Sequence, residues 1–301
     1  MKRKIGIGLV VVTFLVGVCI MSYPLVSSVI NNMSLRQGAT AYTEAVEKMD
    51  ESDYSDFFKE AEAYNKSLTS KAIITDPFDI NAYKSIGANY QKTLDIDGNG
   101  LICYVKIPKI DVELPVYHGT SKGILSKGAG HLMNTSMPIG GKSTHAVISA
   151  HTGYPTQTFF DYLTDLEVGD TFYIRVLNKT LQYEVDQIKV VLPENTNDLR
   201  IIQGEDHVTL LTCTPYGINS HRLLVRGKRV PYVENSENSS SGYQSSGDNG
   251  FFFMGYKIPY WVAACVVAGF VLVVVIIVIA VLKKRKKQEK PERKTKGNEK
   301  E

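Results

Sequence analysis

The chain has 301 residues, of which 44% are hydrophobic and 22% charged, with a formal net charge of +3. That apolar share excludes a disordered polar chain and supplies core for one or two domains. The charge is uneven: residues 283–301 hold ten Lys/Arg against four Asp/Glu, and residues 2–4 are three cations, which leaves the remainder at −6. A mildly acidic body excludes a nucleic-acid binder.

The first element, residues 1–30, is an apolar run from Ile5 to Met21 behind Lys2, Arg3 and Lys4. No small-x-small cleavage site follows it, since Ser22-Tyr23-Pro24-Leu25 comes next, so it reads as an uncleaved signal anchor. Residues 31–84 form an arm. Apolar residues recur at helical spacing among acids over 36–70, predicting one or two amphipathic helices, the second capped by Ser52 or Ser55. ITDPFDINAYK then ends helicity, because proline lacks a backbone donor and biases its predecessor toward extended geometry.

Residues 85–233 change character. Short β-rich runs (LICYVKIP, VELPVYH, HAVISAH, TFYIRVL, LQYEVDQIKVVLP, HVTLLTC and RLLVRGKRV) are punctuated by Gly, Pro, Asn and Asp. Seven or eight strands with one short helix at FFDYLTDL predict a mainly β, antiparallel-rich closed barrel. Residues 234–255 begin with ENSENSSSGYQSSGDNG, which has no apolar periodicity and reads as a flexible linker. The last apolar element, 256–282, contains an uncharged stretch from Trp261 to Leu282 with Tyr256, Tyr260 and Trp261 as interfacial aromatics. At about 1.5 Å per residue that stretch spans roughly 33 Å, against a bilayer core of about 30 Å. Basic residues lie before the first span and after the second, in the tail 283–301, so both termini are expected in the cytoplasm and residues 31–255 outside the cell. Membrane lipid is thus an expected partner, through two spans and a basic tail.

Cys19 and Cys265 fall in the spans, leaving Cys103 and Cys213 outside. Two exported cysteines are compatible with one disulfide or with a free reactive thiol. In TLLTCTPYGINSHRLLVRGKR (209–229), Cys213 ends a β-like run, a Pro-Tyr-Gly turn follows, and Arg222 opens the next run. A thiol attacks as thiolate, so cysteine chemistry needs a nearby base or cation and a donor for the developing oxyanion. Paired strands joined by such a loop would bring Cys213 and Arg222 to one barrel mouth. Of six histidines, His151 ends the run HAVISAH before a turn, whereas His145 and His207 begin strands, His118 and His131 sit in glycine-containing loops, and His221 adjoins Arg222, so the other five are expected in surface or capping roles. No His or Cys pair has zinc-ligand spacing, so neither a metal nor a cofactor is expected.

TLLTCTPYGINSHRLLVRG resembles the active-site signature of sortases, the TLxTC run followed by an arginine, and its extended form resembles class C, the pilin-polymerising sortases of Gram-positive bacteria. The resemblance continues through IPKIDVELPVYHGT, KGAGHLMNTSMPIGGKSTHAVISAH and LEVGDTFYI, covering residues 100–230. It implies a sortase-type closed β-barrel in which Cys213 is the nucleophile, His151 the acid/base and Arg222 the electrostatic stabiliser. It also implies a transpeptidase that cleaves an LPxTG-like sorting signal after threonine and joins it to a pilin lysine, with pilin subunits as partners. Anchoring of proteins to a cell-wall precursor is the same chemistry with another amine, and a non-catalytic pilus scaffold is the alternative of a different class. Thr152 follows the histidine where class C commonly has arginine, a departure that bears on the substrate groove. Asp76-Pro77-Phe78 alone reads as an ordinary turn. By resemblance it is the class C lid, with Asp76 on Arg222 and Phe78 over Cys213.

Overall fold

A computed structural model of the chain describes residues 2–68, 74–79, 88–96, 98–154, 157–233, 250–253, 256–259 and 269. Compact units span Met1–Ser239 and Ser240–Glu301. In the first, α1 (Lys2–Glu47) is one continuous helix that runs through the boundary expected at residue 30, and α2 is Glu51–Ser67. The cap of α2 is Asp50, not Ser52 or Ser55: Asp50 is extended, and its N–H donates to the Asp53 carboxylate at 3.3 Å. Acidic residues suit this end because the helix dipole is positive there. Among the described residues no helix is long and apolar enough to cross a membrane. Many side chains of the Ile5–Met21 run, and almost all of 261–282, lie outside the described residues.

A short helix α3 (Ala88–Lys92) precedes the barrel. Its strands are β1 (Leu101–Ile107), β2 (Val112–His118), β3 (Ala129–His131), β4 (Thr144–Ser149), β5 (Thr171–Val176), β6 (Lys179–Val191), β7 (Asp206–Thr214) and β8 (His221–Val230). They close in the order β1-β2-β3-β4-β7-β8-β6-β5, with β5 pairing back onto β1. The mainly β, closed-barrel expectation thus holds with eight strands. Two neighbouring pairs are parallel, β2 with β3 and β4 with β7.

β-branched and aromatic residues dominate these strands and pack where a pleated surface meets a core. β1 is buried at every position but Lys106, and β4 at every position. β3 was absent from the sequence reading and places His131 in a strand, not a loop; His118, likewise expected in a loop, is the last residue of β2. Its chain approach requires glycine: a Cβ on Gly130 would sit 2.2 Å from the Gly119 carbonyl oxygen. The helix expected at 159–166 reduces to a single 3₁₀ turn, Leu163–Asp165.

The arm is fastened to the barrel by polar side chains. Tyr42 of α1 donates to the Ile102 carbonyl at 3.2 Å, accepts the Leu177 N–H at 3.0 Å, and packs on Tyr104. The Asn65 amide of α2 bonds both backbone groups of Met137, at 3.2 and 2.6 Å. At one end of the barrel Leu132, Val147, Leu199, Leu211 and Leu224 form a buried cluster, with Ile74, Phe78 and Val191 packed against it. The five buried residues come from five different chain segments, so the cluster depends on closure of the barrel.

In the second unit, Gly250–Phe253 and Tyr256–Pro259 form a two-stranded antiparallel hairpin, which we label β9 and β10. Residues 256–259, assigned from sequence to the start of the second span, are therefore strand.

Candidate active site

Cys213 and Arg222 are directly opposite partners in the antiparallel β7–β8 ladder. Side chains in such positions have Cβ atoms about 4.5–5.5 Å apart, so the thiol and guanidinium share one face at the rim. Both are 9% exposed. On the other side of β7, parallel pairing reaches Ser149↔Leu211, and it is prolonged by Ala150 N–H to the Leu211 carbonyl (3.1 Å) and Thr212 Oγ1–H to the Ala150 carbonyl (2.8 Å). Carried one residue further, that register brings His151 level with Cys213. Val191 of β6 in turn pairs with Arg222. The rim therefore reads, strand by strand, Val191, Arg222, Cys213, His151.

The segment Asp76–Phe78 sits on this row. Arg222 Nε and Nη2 donate to the two Asp76 carboxylate oxygens at 2.8 and 2.7 Å, a bidentate geometry that suits the planar guanidinium. The remaining nitrogen, Nη1, donates to the carbonyls of Asn219 and His221, both at 3.0 Å. The Phe78 ring lies against both ends of the row, 5.1 Å from the Arg222 guanidinium carbon and 5.6 Å from the His151 ring. Pro77 is buried, and its carbonyl accepts the Thr120 hydroxyl at 2.6 Å.

Burial pushes the Cys213 thiol up to about 11; Arg222 pulls it down and Asp76 pushes it up. Burial also lowers the His151 imidazole below its ordinary range. Burial is the largest influence on Arg222 and disfavours its cation, but the hydrogen bonds it donates to Asp76 and the charges of Cys213 and Asp76 together outweigh burial and raise its pKa. With the segment seated, sulfur and imidazole are thus both held uncharged, and every guanidinium nitrogen is engaged.

Cys103 is fully buried and free, its thiol pushed up by burial; Cys213 is also free, so no disulfide joins them. Of the other histidines His221 adjoins this rim, and the surface or capping role expected for the rest is corrected for four. His118, His131, His145 and His207 are buried. His131 bonds the Tyr90 hydroxyl at 2.9 Å and the Ser136 carbonyl at 2.8 Å, and His145 bonds Arg200 O and Thr209 Oγ1. Among the described residues no group of three or more His, Cys, Asp or Glu is placed to hold a metal ion.

Two residues of the site were missed from sequence. Thr120 left no signal beyond its place after His118-Gly119. Tyr154 stacks on His151 with centroids 5.6 Å apart and planes at 18°. An aromatic three positions after the histidine was visible, but it read only as part of a turn.

A closed eight-stranded barrel with thiol and guanidinium on paired strands and an imidazole just past the end of the neighbouring strand, at one rim, defines a sortase-type protein. Comparison with protein families finds a sortase domain over residues 105–230. Sortase C-1 of Streptococcus pneumoniae is similar at 49% identity and a TM-score of 0.62, covering 65% of this chain and 100% of that one. Sortase C1 of Streptococcus agalactiae is similar at 47% identity and a TM-score of 0.60, with 66% and 96% covered. Among curated proteins, Sortase D of Bacillus subtilis is 30% identical over 129 residues, which is 42% of this chain and 62% of that protein. The match thus spans about three fifths of the curated relative's length. The chain belongs to the sortase family, alongside the class C members.

Proposed function

We propose that this chain is a membrane-anchored cysteine transpeptidase that polymerises pilins. The observation that carries the reading is the rim row of Arg222 and Cys213 on paired strands with His151 just beyond the end of β4, covered by Asp76–Phe78. In the proposed reaction Cys213 gives its proton to His151, and the resulting thiolate attacks the threonine carbonyl carbon of an LPxTG-like sorting signal. The resulting oxyanion is held by Arg222. His151 delivers a proton to the glycine nitrogen as the C–N bond breaks, leaving a thioester on Cys213. A pilin lysine amine then attacks the thioester carbon, loses its proton to His151, and forms an isopeptide bond as the thiolate departs.

Asp76-Pro77-Phe78 acts as a lid in this reading. A bidentate carboxylate occupies the guanidinium that the oxyanion requires, and the Phe78 ring separates it from the acid/base. The apolar runs Ile5–Met21 and Trp261–Leu282, with their flanking cations, support anchorage by two spans with both termini cytoplasmic and the barrel outside the cell. Pilin as substrate is supported by likeness to a sortase C of S. pneumoniae described for its pilin substrate specificity (46% identity) and to a pilus-related sortase C of Group B Streptococcus (46% identity). The test is incubation of the full chain with pilins carrying an LPxTG-like signal. Ladders of cross-linked product that need Cys213 are expected. Release of the cleaved pilin without ladders would leave a hydrolase, and attachment only to a small cell-wall precursor amine would leave an anchoring enzyme.

A further inference from the structure

We propose that the outer edge of β6, from Asp186 to Val191, is a docking strand for the extended tail of the donor pilin just upstream of its sorting signal, an inference that rests on the transpeptidase reading. β5 pairs with β6 only as far as Glu184. A register shift between Val185 and Gln187 then marks a bulge at Asp186, and bulges bend a strand and end its pairing. Beyond it, the β8 ladder continues through Gln187↔Arg226 to Val191↔Arg222 on one side. Among the described residues no strand pairs with the other side.

Such an edge is ordinarily blunted by free charge or proline. Here both charged residues of the stretch are engaged elsewhere: Asp186 takes Arg226 in a bidentate pair at 3.0 and 2.6 Å, and Lys189 pairs with Asp198 at 2.5 Å. Apart from the half-buried Gln187, the other residues presented along this stretch and its end are apolar. Ile188, Val190 and Leu192 are 36%, 59% and 50% exposed, and their spacing of two puts them on one face. Val191 points the opposite way, into the leucine cluster.

The strip leads into the site. Val191, Leu192 and Pro193 line the cleft that Asp76, Arg222 and Leu224 close from the other side. Because Val191 pairs with Arg222 and Arg222 with Cys213, a strand added to β6 would lie three strands from the thiol. At about 4.8 Å per strand that is roughly 14 Å, the reach of about four extended residues. A sorting signal seated at Cys213 would therefore have its upstream tail at the level of the β6 edge. Strand addition supplies affinity through main-chain hydrogen bonds and takes its selectivity from alternate side chains, here through the apolar strip.

The experiment uses the full chain with Asp76→Ala and Phe78→Ala, so that the lid does not mask substrate effects. Three fluorescent peptides serve as probes: a bare LPETG signal, the same signal preceded by a twelve-residue Thr-Val repeat, and the same signal preceded by Gly-Ser of equal length. The Thr-Val extension is expected to raise kcat/KM at least tenfold over Gly-Ser. Adding Ile188→Lys and Val190→Lys should erase that gain while changing turnover of the bare signal less than twofold, which also reports an intact fold. Equal rates for the two extensions, or a gain that survives the two lysines, would overturn the docking edge. So would a chain dimer broken by the lysines with no extension effect, since a second copy would then own the edge. No turnover of any peptide would overturn the transpeptidase reading itself.

Discussion

Removing the Asp76 and Phe78 side chains together should expose Cys213 to a small thiol reagent, and the size of the effect follows from the site's electrostatics. With Asp76–Phe78 seated the thiol is pushed up to about 11, mainly by burial. At pH 8 that leaves a thiolate fraction of about 10⁻³. Loss of the Asp76 charge and admission of water return the thiol toward the ordinary value near 8.5, where about a quarter is ionised, a gain of roughly 240-fold. The less basic sulfur is also a weaker nucleophile. With a Brønsted slope of about 0.4–0.5 over that change, the intrinsic rate falls roughly 10- to 18-fold. The net expectation is an increase of about 10- to 25-fold at pH 8, before any steric uncovering by loss of the Phe78 ring. The pH profile supplies the sign. In the parent chain labelling should keep climbing through pH 9 and 10 toward the raised pKa, while in the double variant it should level off at lower pH. The assay is a stopped-flow or quenched time course with a methanethiosulfonate reagent, read by mass spectrometry on the Cys213 peptide. Equal labelling rates across pH 7–10 would refute the lid, because Asp76–Phe78 would then be a turn that happens to lie nearby.

Other expectations extend the same account. Cys213→Ala should abolish acyl transfer while leaving the melting temperature nearly unchanged, whereas Cys103→Ala, in the fully buried core of β1, should keep activity and cost about 1 kcal/mol of stability, read by denaturant titration. Arg222→Lys keeps the charge but not the planar fork, so thiol labelling should rise as the Asp76 bond loosens while peptide turnover falls by ~10²-fold or more; parallel gains in both would contradict the stabilising role of Arg222. Thr120→Val removes the hydroxyl that holds the Pro77 carbonyl; the loss of about 1 kcal/mol should speed labelling of Cys213 roughly fivefold, and an unchanged rate would show that the hook does not hold the lid. Protease added to intact protoplasts should digest residues 31–255, and protection of the barrel would overturn the proposed topology.

Most of the barrel is legible because its strands are runs of Val, Ile, Leu, Thr and Tyr bounded by turn residues, a pattern that survives without knowledge of partners. β3 is not legible: Ala-Gly-His carries no β signal, and it is a strand only because Gly130 lets the chain come against Gly119. The parallel β4–β7 pairing is equally hidden, since residue pattern specifies which face is buried but not which strand lies alongside. That pairing is what carries His151 beside Cys213. The position of Cys213 next to Arg222, by contrast, follows from two strands joined by one loop, which is local enough to read from sequence. The bond between Asp76 and Arg222 spans 146 positions, and family resemblance was the sole route to it. Four buried histidines were misjudged for a related reason: a histidine looks polar in sequence, but His131 and His145 each find two partners inside the barrel, and that satisfaction is visible only in three dimensions.

The central claim is that Cys213 carries the acyl group between two polypeptides. It is tested most directly by incubating the full chain with an LPETG peptide in the absence of any amine acceptor, quenching in acid, and measuring the intact mass and the Cys213-containing fragment. The account predicts a thioester adduct that retains the peptide through threonine, lacks its glycine, sits on the Cys213 fragment, and is discharged by added lysine amine. An adduct on any other residue, or one that forms equally in Cys213→Ala, would contradict it.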